Sequence, residues 1–333
     1  VDPLRQLIAT LRDAGLGDRM VCGAPMATYT SFGIGGPADV LVDAASVGEV
    51  VESLAAAARL RVPSQIIGLG TNLLVRDGGI RGLVVRVGPR MGGLEWDDEA
   101  TAVVAGAGIP LAELSAALGR RSWTGLEWAE GIPGTLGGAL VMNAGAYGGE
   151  ISDVVEWVEV IEAVAVVEGQ VPSTTVLSLA DLGYSYRRSA LQQGRHVALR
   201  ARLRLARGDA AEIGTRMAEF AARRRDRQPL EYPSAGSFFM RPSGHYVGPM
   251  IEECGLKGLR VGGAEVSEKH ANFIINTGGA TAADVLALAE LVRRAVHERY
   301  GVDLHPEVRI LGEPSSSDTD TSDASRSEAS PEL

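Results

Sequence analysis

The sequence predicts a fold of mixed helices and strands in two or three domains, and three observations point to it. A chain of 333 residues is longer than one hydrophobic core usually serves, and its 45% hydrophobic content can fill more than one. Apolar periodicity switches repeatedly between the helical and the strand pattern. Residues 123–147 combine Gly125, Gly131, Gly134, Gly137, Gly138 and Gly145 with Leu126, Trp128, Ile132, Leu136, Leu140, Val141 and Met142. Glycine permits positive φ and close backbone approach, while the apolar residues supply a buried frame. Such a stretch either presents backbone N–H groups to an anionic or flat ligand, or makes a tight corner between packed elements.

In chain order, residues 1–19 place Leu4, Leu7, Ile8 and Leu11 at helical spacing. Hydroxyls and glycines cluster over residues 27–38, ahead of a short strand at Val40, Leu41 and Val42. Ser46 with Glu49 reads as a capping box for a helix reaching about Leu60, with Val50, Val51, Leu54 and Ala57 inward. A strand over residues 64–67 runs directly into Gly68, Gly70, Thr71 and Asn72. That turn is either ordinary punctuation after a strand or a nest of N–H groups converging on phosphate. It is not a dinucleotide fingerprint, because Asp77-Gly78-Gly79 and a strand over residues 83–87 follow where that motif needs a helix.

A second region begins near Gly92, with a strand-like run at residues 101–108 and a helix opened by Pro110 that turns Leu111, Leu114 and Leu118 to one side. Residues 151–167 are rich in Val and Ile, interrupted by Asp153, Glu156, Glu159 and Glu162, and read as one or two strands. Residues 182–189 form a polar aromatic turn. Residues 196–205 alternate, with Val197, Leu199, Ala201, Leu203 and Leu205 opposite His196, Arg200, Arg202 and Arg204, as a half-solvated strand does. A helix from about Asp209 ends in Arg223, Arg224, Arg225 and Arg227; these cations complement the helix dipole and would also suit a diphosphate. After a stiff linker at residues 228–233, a third region carries a turn at residues 241–245, a short helix from Val247 and a strand over residues 273–276. Its last helix is capped by Thr281 and Asp284 and has Val285, Leu288, Leu291, Val292 and Val296 inward. From Pro314 on, Ser, Thr, Asp and Glu dominate, and the tail is expected to be disordered.

Composition narrows the function. A net charge of -10 speaks against a nucleic-acid partner, which needs a positive footprint. Cys22 and Cys254 make neither a disulfide framework nor a metal spacing, and no segment reads as a signal peptide or a membrane span, so a soluble intracellular protein is expected. No cluster has metal-ligand spacing. Ser237 lacks the flanking glycines of a nucleophile elbow, with Ala235 and Phe239 in their places.

Five separated segments resemble the UDP-N-acetylenolpyruvoylglucosamine reductase family: residues 30–38, 68–74 and 125–148, Tyr186-Arg187-Arg188-Ser189, and Pro233-Ser234-Ala235-Gly236-Ser237-Phe238-Phe239. Residues 267–276 and 305–312 extend the likeness, which spans about residues 20–312 and resembles the shorter subtype of the family. Thr71 and Met240 depart from it, standing where Ser and Lys are common.

The resemblance implies an α+β fold with a vanillyl-alcohol-oxidase-type, two-part FAD-binding region and a separate α+β substrate-binding domain. Residues 1–88, rejoined by 306–313, form the first FAD-binding region on this reading, residues 89–228 the second, residues 229–305 the substrate-binding domain and residues 314–333 an acidic tail. FAD is held noncovalently by Gly68, Gly70, Thr71, Asn72, Leu73, Gly131, Gly134, Thr135, Gly137, Gly138, Asn143, Ala144 and Gly145, with the N–H groups around Gly70 to Asn72 and around Gly137 and Gly138 on its diphosphate. Tyr186, Lys269 and Asn272 bind substrate; Arg187, Ser237 and Glu307 are catalytic. NADPH and UDP-N-acetylglucosamine enolpyruvate are the implied partners of a monomeric cytoplasmic enzyme without nucleic-acid, membrane or metal partner. A sugar or lactone oxidase on the same FAD scaffold, and a nucleotide-binding regulator without catalysis, stay open beside it.

Overall fold

The structure is a computed structural model describing residues 2–162 and 174–315. Its described residues fall into two compact units: 2–22, 40–71, 82–162 and 174–228 form the first, and 23–39, 72–81 and 229–315 the second.

A four-stranded sheet runs in the order Met20–Pro25, Pro37–Ala44, Ile80–Val87, Ser64–Ile67, with the last pair parallel. In the first unit its residues Val40, Val42, Leu83 and Val85 are fully buried with Leu7 and Leu11 of the N-terminal helix Pro3–Asp13. The helix Val47–Arg59 is capped by Ser46, which accepts from the Glu49 N–H at 3.2 Å. The expected reciprocal bond is diverted: the Glu49 carboxylate accepts from the Ala45 N–H and pairs with Arg19.

The first unit also holds a five-stranded antiparallel sheet in the order Thr174–Ser178, Val155–Glu162, His196–Arg204, Ala102–Gly106, Leu94–Asp97. The alternation read at residues 196–205 holds from Leu199 on, with Leu199, Ala201 and Leu203 buried; before it, Val197 and Ala198 are both buried. On the other face Arg200 pairs with Glu159, Arg202 with Glu156 and Asp97, and Arg204 with Glu156. These partners explain why acids interrupt the Val- and Ile-rich run. Its beginning differs from expectation, since Ile151–Asp153 is a single 3-10 turn and the strand starts at Val155. Residues 163–167 of that run lie outside the described residues.

Pro110 is the N-cap of the helix Leu111–Arg120. The helix Ala210–Arg227 is capped by Asp209, whose carboxylate accepts from the N–H groups of Ala211 and Glu212. Ile213, Met217, Phe220 and Arg224 follow i, i+4, i+7, i+11 spacing along its inward stripe, so one of the terminal arginines stands where an apolar residue is expected.

In the second unit the antiparallel order is Ser234–Ser237, Phe273–Asn276, Ala264–Val266, Arg260–Val261. The helix Ala282–Tyr300 carries the expected capping box and stops at Gly301, whose φ is 64°. Val285, Leu288, Val292 and Val296 are buried, whereas Leu291 is 41% exposed; Ala289 takes the inward place instead. Asp77 accepts from the N–H groups of Ala282 and Ala283, each at 2.9 Å, at the positive end of that helix. Arg309–Leu311 pairs in parallel with Leu73–Val75. Among the described residues no helix is long and apolar enough to cross a membrane. The expected disordered tail lies almost wholly outside the described residues.

Candidate active site

In the first unit the two glycine stretches meet. A Cβ on Gly68 would lie 2.6 Å from Thr135 Oγ1, and one on Gly134 2.8 Å from Thr71 Oγ1. The Thr71 hydroxyl donates to the Pro133 carbonyl at 3.4 Å. Each loop thus offers a hydroxyl to a glycine of the other, and neither glycine has room for a side chain. Gly70 is buried with φ 68°, and the N–H groups of Gly68, Leu69 and Gly70 have no acceptor among the described residues. Buried amides are almost always paired, so an unpaired one marks a place for an acceptor from outside the protein.

Gly137 and Gly138 differ from expectation in this respect. The Gly137 N–H donates to the Ala107 carbonyl at 2.7 Å, and the Gly138 N–H to Thr135 Oγ1 at 3.2 Å, so neither is free for an anion. What Gly138 offers is room: it is exposed, and a Cβ there would meet nothing nearer than 3.7 Å.

Asn143 closes the helix Leu136–Met142 with φ 42° and is fully buried. Its side-chain amide donates to the Ser185 carbonyl at 3.1 Å, and its side-chain oxygen accepts from the Ser152 N–H. It therefore serves as framework rather than as an exposed ligand. The Arg187 guanidinium is tied to the same segment, donating to the carbonyls of Asn143 at 3.3 Å and Gly145 at 3.0 Å. Arg187 itself has φ 55°, an uncommon conformation for a side-chain-bearing residue, and its carbonyl accepts from Gln192 at 2.8 Å. Tyr186 is 45% exposed, its ring 5.1 Å from the Arg187 guanidinium. Ala144 and Gly145 are half-buried beside this clamp, and Gly131 is exposed at the opposite end of the glycine stretch.

In the second unit Ser237 ends the strand Ser234–Ser237 opposite Phe273, after a bulge that includes Gly236 at φ 79°. The segment that follows is pinned by Asn272. Phe238 N–H donates to the Asn272 carbonyl at 2.7 Å, and the Asn272 side chain bonds both the N–H and the carbonyl of Phe239. Asn272 is buried and its amide bonds both the N–H and the carbonyl of Phe239, so it positions the Ser237 segment. The Glu307 N–H donates to the Phe238 carbonyl at 2.8 Å, which brings Ser237 and Glu307 onto neighbouring segments. Asn72 ties to the Glu307 carbonyl at 3.1 Å, and Leu73 pairs with Arg309. Lys269 lies 3.7 Å from Glu231. Burial holds the neighbouring His270 imidazole below its ordinary pKa, and its Nδ1 accepts from the Asn272 N–H at 3.2 Å, as a neutral ring can. Met240 takes its place by a backbone bond to His305.

Sequence reasoning named Arg224 only as one of a terminal cluster of cations and did not single it out; its side chain runs beneath Gly131 in the first unit. Its place on the inward stripe of Ala210–Arg227 was the signal that could have found it.

Residues 228–311 match the family model described as UDP-N-acetylenolpyruvoylglucosamine reductase, C-terminal domain, and residues 38–168 match one described as FAD binding domain. The chain is 46% identical to the UDP-N-acetylenolpyruvoylglucosamine reductase of Caldanaerobacter subterraneus, over 92% of this chain and 98% of that protein. It is also 46% identical to the reductase of the same name from Syntrophomonas wolfei, over 89% and 96%. The crystal structure of the Thermus caldophilus reductase superposes with a TM-score of 0.72 at 36% identity, covering 88% of this chain and 98% of that one. The α+β fold class is thereby shared with a solved member, and the chain belongs to the UDP-N-acetylenolpyruvoylglucosamine reductase family.

Proposed function

We propose that this chain is an FAD-containing, NADPH-dependent oxidoreductase that reduces UDP-N-acetylglucosamine enolpyruvate to UDP-N-acetylmuramate, a peptidoglycan precursor. The observation that carries the reading is the interlocking of residues 68–71 with residues 131–135, which leaves the N–H of buried Gly70 without an acceptor among the described residues. These residues fit a flavin diphosphate: they offer N–H donors, close backbone approach and, at Gly138, open space. Residues 1–88 with 306–313 and residues 89–228 are assigned as the two parts of a vanillyl-alcohol-oxidase-type FAD region, and residues 229–305 as the substrate domain. The enzyme acts on this reading as a cytoplasmic monomer, without nucleic-acid or membrane partner.

Held by Gly68, Gly70, Thr71, Gly131 and Gly134, FAD would supply the hydride chemistry between NADPH and the methylene carbon of the enolpyruvyl ether. Negative charge then develops toward the substrate carboxylate and the adjoining carbon. Arg187, whose guanidinium is already fixed by two carbonyls, stabilises that charge with little reorganisation. Ser237 donates a proton to the carbon next to the carboxylate, and Glu307 orients the carboxylate or the proton. Gly68, Gly70, Thr71, Gly131 and Gly134 shape the cofactor cradle; Asn143 and Asn272 hold Arg187 and the Ser237 segment in place. Tyr186 and Lys269 are assigned to binding the substrate.

The test is the absorbance of the purified protein under anaerobic conditions. A flavin spectrum is expected, bleached by NADPH and restored by UDP-N-acetylglucosamine enolpyruvate. A colourless protein that takes up no FAD would overturn the reading.

A further inference from the structure

Arg224 lies in the last turn of the helix Ala210–Arg227 and is only 6% exposed. No acidic side chain among the described residues forms an ion pair with it, and its Nη2 is buried without a hydrogen-bond partner. Its Nε donates to the Glu130 carbonyl at 3.3 Å, and its guanidinium lies 5.4 Å from the centre of the Tyr147 ring, which stacks on Phe220. Burial pushes its pKa below the ordinary arginine value and outweighs the charges of Tyr147 and Glu130, which act the other way. A buried cation without a directly paired carboxylate is costly.

The neighbouring peptide unit gives that cation a use. In a trans peptide the C=O and the next N–H point in opposite directions. Among the described residues no peptide bond is cis, so the bond that turns the Glu130 carbonyl toward Arg224 turns the Gly131 N–H away from it. Gly131 is exposed, has φ 69°, and its N–H has no acceptor among the described residues. A Cβ at Gly131 would lie 3.4 Å from both Cδ and Nε of Arg224, an ordinary contact, so the turn rests directly on the arginine side chain, and it is the positive φ that favours glycine there.

We propose that Arg224 is a positioning residue and buried counter-charge for the diphosphate of the bound cofactor. Holding the Glu130–Gly131 peptide from beneath, it presents the Gly131 N–H as an anion donor and adds a positive field behind it. This rests on the FAD reading above, but it assigns to one arginine a task the resemblance gave to the glycine loops alone.

The experiment compares three ligands on flavin-stripped protein: FAD, ADP, which keeps the diphosphate, and riboflavin, which lacks it. Arg224→Met is expected to weaken FAD and ADP about tenfold or more, the usual worth of a lost charge-supported donor, and to change riboflavin by less than about twofold. Its circular dichroism should match wild type. If Arg224→Met does not fold, Arg224→Lys, which keeps the charge but loses the planar fork, carries the same comparison with a smaller loss that is still confined to FAD and ADP. Unchanged FAD and ADP affinity, or an equal loss for all three ligands, overturns the proposal while leaving the FAD reading intact. A wild-type protein that binds neither FAD nor ADP overturns both.

Discussion

The side-chain amide of Asn72 donates to the main-chain carbonyl of Glu307 at 3.1 Å, and the Arg309 N–H returns a bond to the Asn72 carbonyl at 3.0 Å. A residue from the first glycine turn thereby fixes the height of a carboxylate far along the chain. Asn72→Ala should leave flavin content near normal and slow reoxidation of reduced flavin by the enolpyruvyl substrate about tenfold, as expected for one lost hydrogen bond. Loss of flavin with normal reoxidation in the molecules that retain it would make Asn72 a cofactor ligand only.

Gly138→Val separates steric exclusion of cofactor from damage to the fold. The added Cβ meets no protein atom nearer than 3.7 Å, so the substitution should fold and melt close to wild type while flavin content falls. Gly68→Val is the contrast, since its Cβ would lie 2.6 Å from Thr135 Oγ1 and must lower stability as well. Thermal melts read beside the flavin-to-protein absorbance ratio check both. A well-folded Gly138→Val protein with full flavin content would remove Gly138 from the site.

Much of this was legible in local sequence because local physics decides it. The Thr281 and Asp284 capping box, the stop at Gly301 and the alternation of Leu199, Ala201 and Leu203 need only neighbouring residues. The uses of Asn143, Asn272 and the Gly137 N–H were not legible, because each is set by a partner from a distant segment: Ser185, Phe239 and Ala107 respectively. Arg224 falls between these cases. Its neighbours Arg223 and Arg225 hid it as one of a cluster, yet successive helical residues point about 100° apart, and only Arg224 continues the stripe of Ile213, Met217 and Phe220.

The buried Glu127 predicts an acid-sensitive component of stability in the first unit. Burial alone would raise its pKa, but hydrogen bonds from the Thr124 hydroxyl at 2.6 Å, Arg216 at 2.7 Å and the Gly125 N–H at 2.8 Å outweigh it and hold the carboxyl below its ordinary value of 4.5. A carboxyl depressed on folding stabilises the protein above its unfolded pKa, and that contribution is lost as pH falls through the folded value. Glu127→Gln should cost about 1–3 kcal/mol at neutral pH. The gap to wild type should close below pH 4.5. Urea unfolding across pH measures it, and a gap that stays constant into acid would show that the Glu127 charge is not what stabilises this corner.

Ser237→Ala tests the division of labour in the proposed reaction. The strand that carries Ser237 is held by bonds that do not use its hydroxyl: Ser31 Oγ donates to the Ser234 carbonyl at 2.7 Å, Phe238 N–H to Asn272, and Glu307 N–H to Phe238. Removing the hydroxyl should therefore leave the backbone and both ligand sites intact. Reduction of bound flavin by NADPH needs no proton at the substrate carbon and should keep its rate. Reoxidation by the enolpyruvyl substrate should slow by about 10²- to 10⁴-fold, the usual contribution of a positioned general acid. Serine is a weak acid, but a carbanion is a strong enough base to accept its proton, and a cation such as Arg187 would favour the resulting alkoxide. Stopped-flow absorbance of each half-reaction without oxygen decides the matter. If both halves slow equally while FAD and substrate still bind normally, Ser237 is not the specific proton donor, and the proton must come from another group.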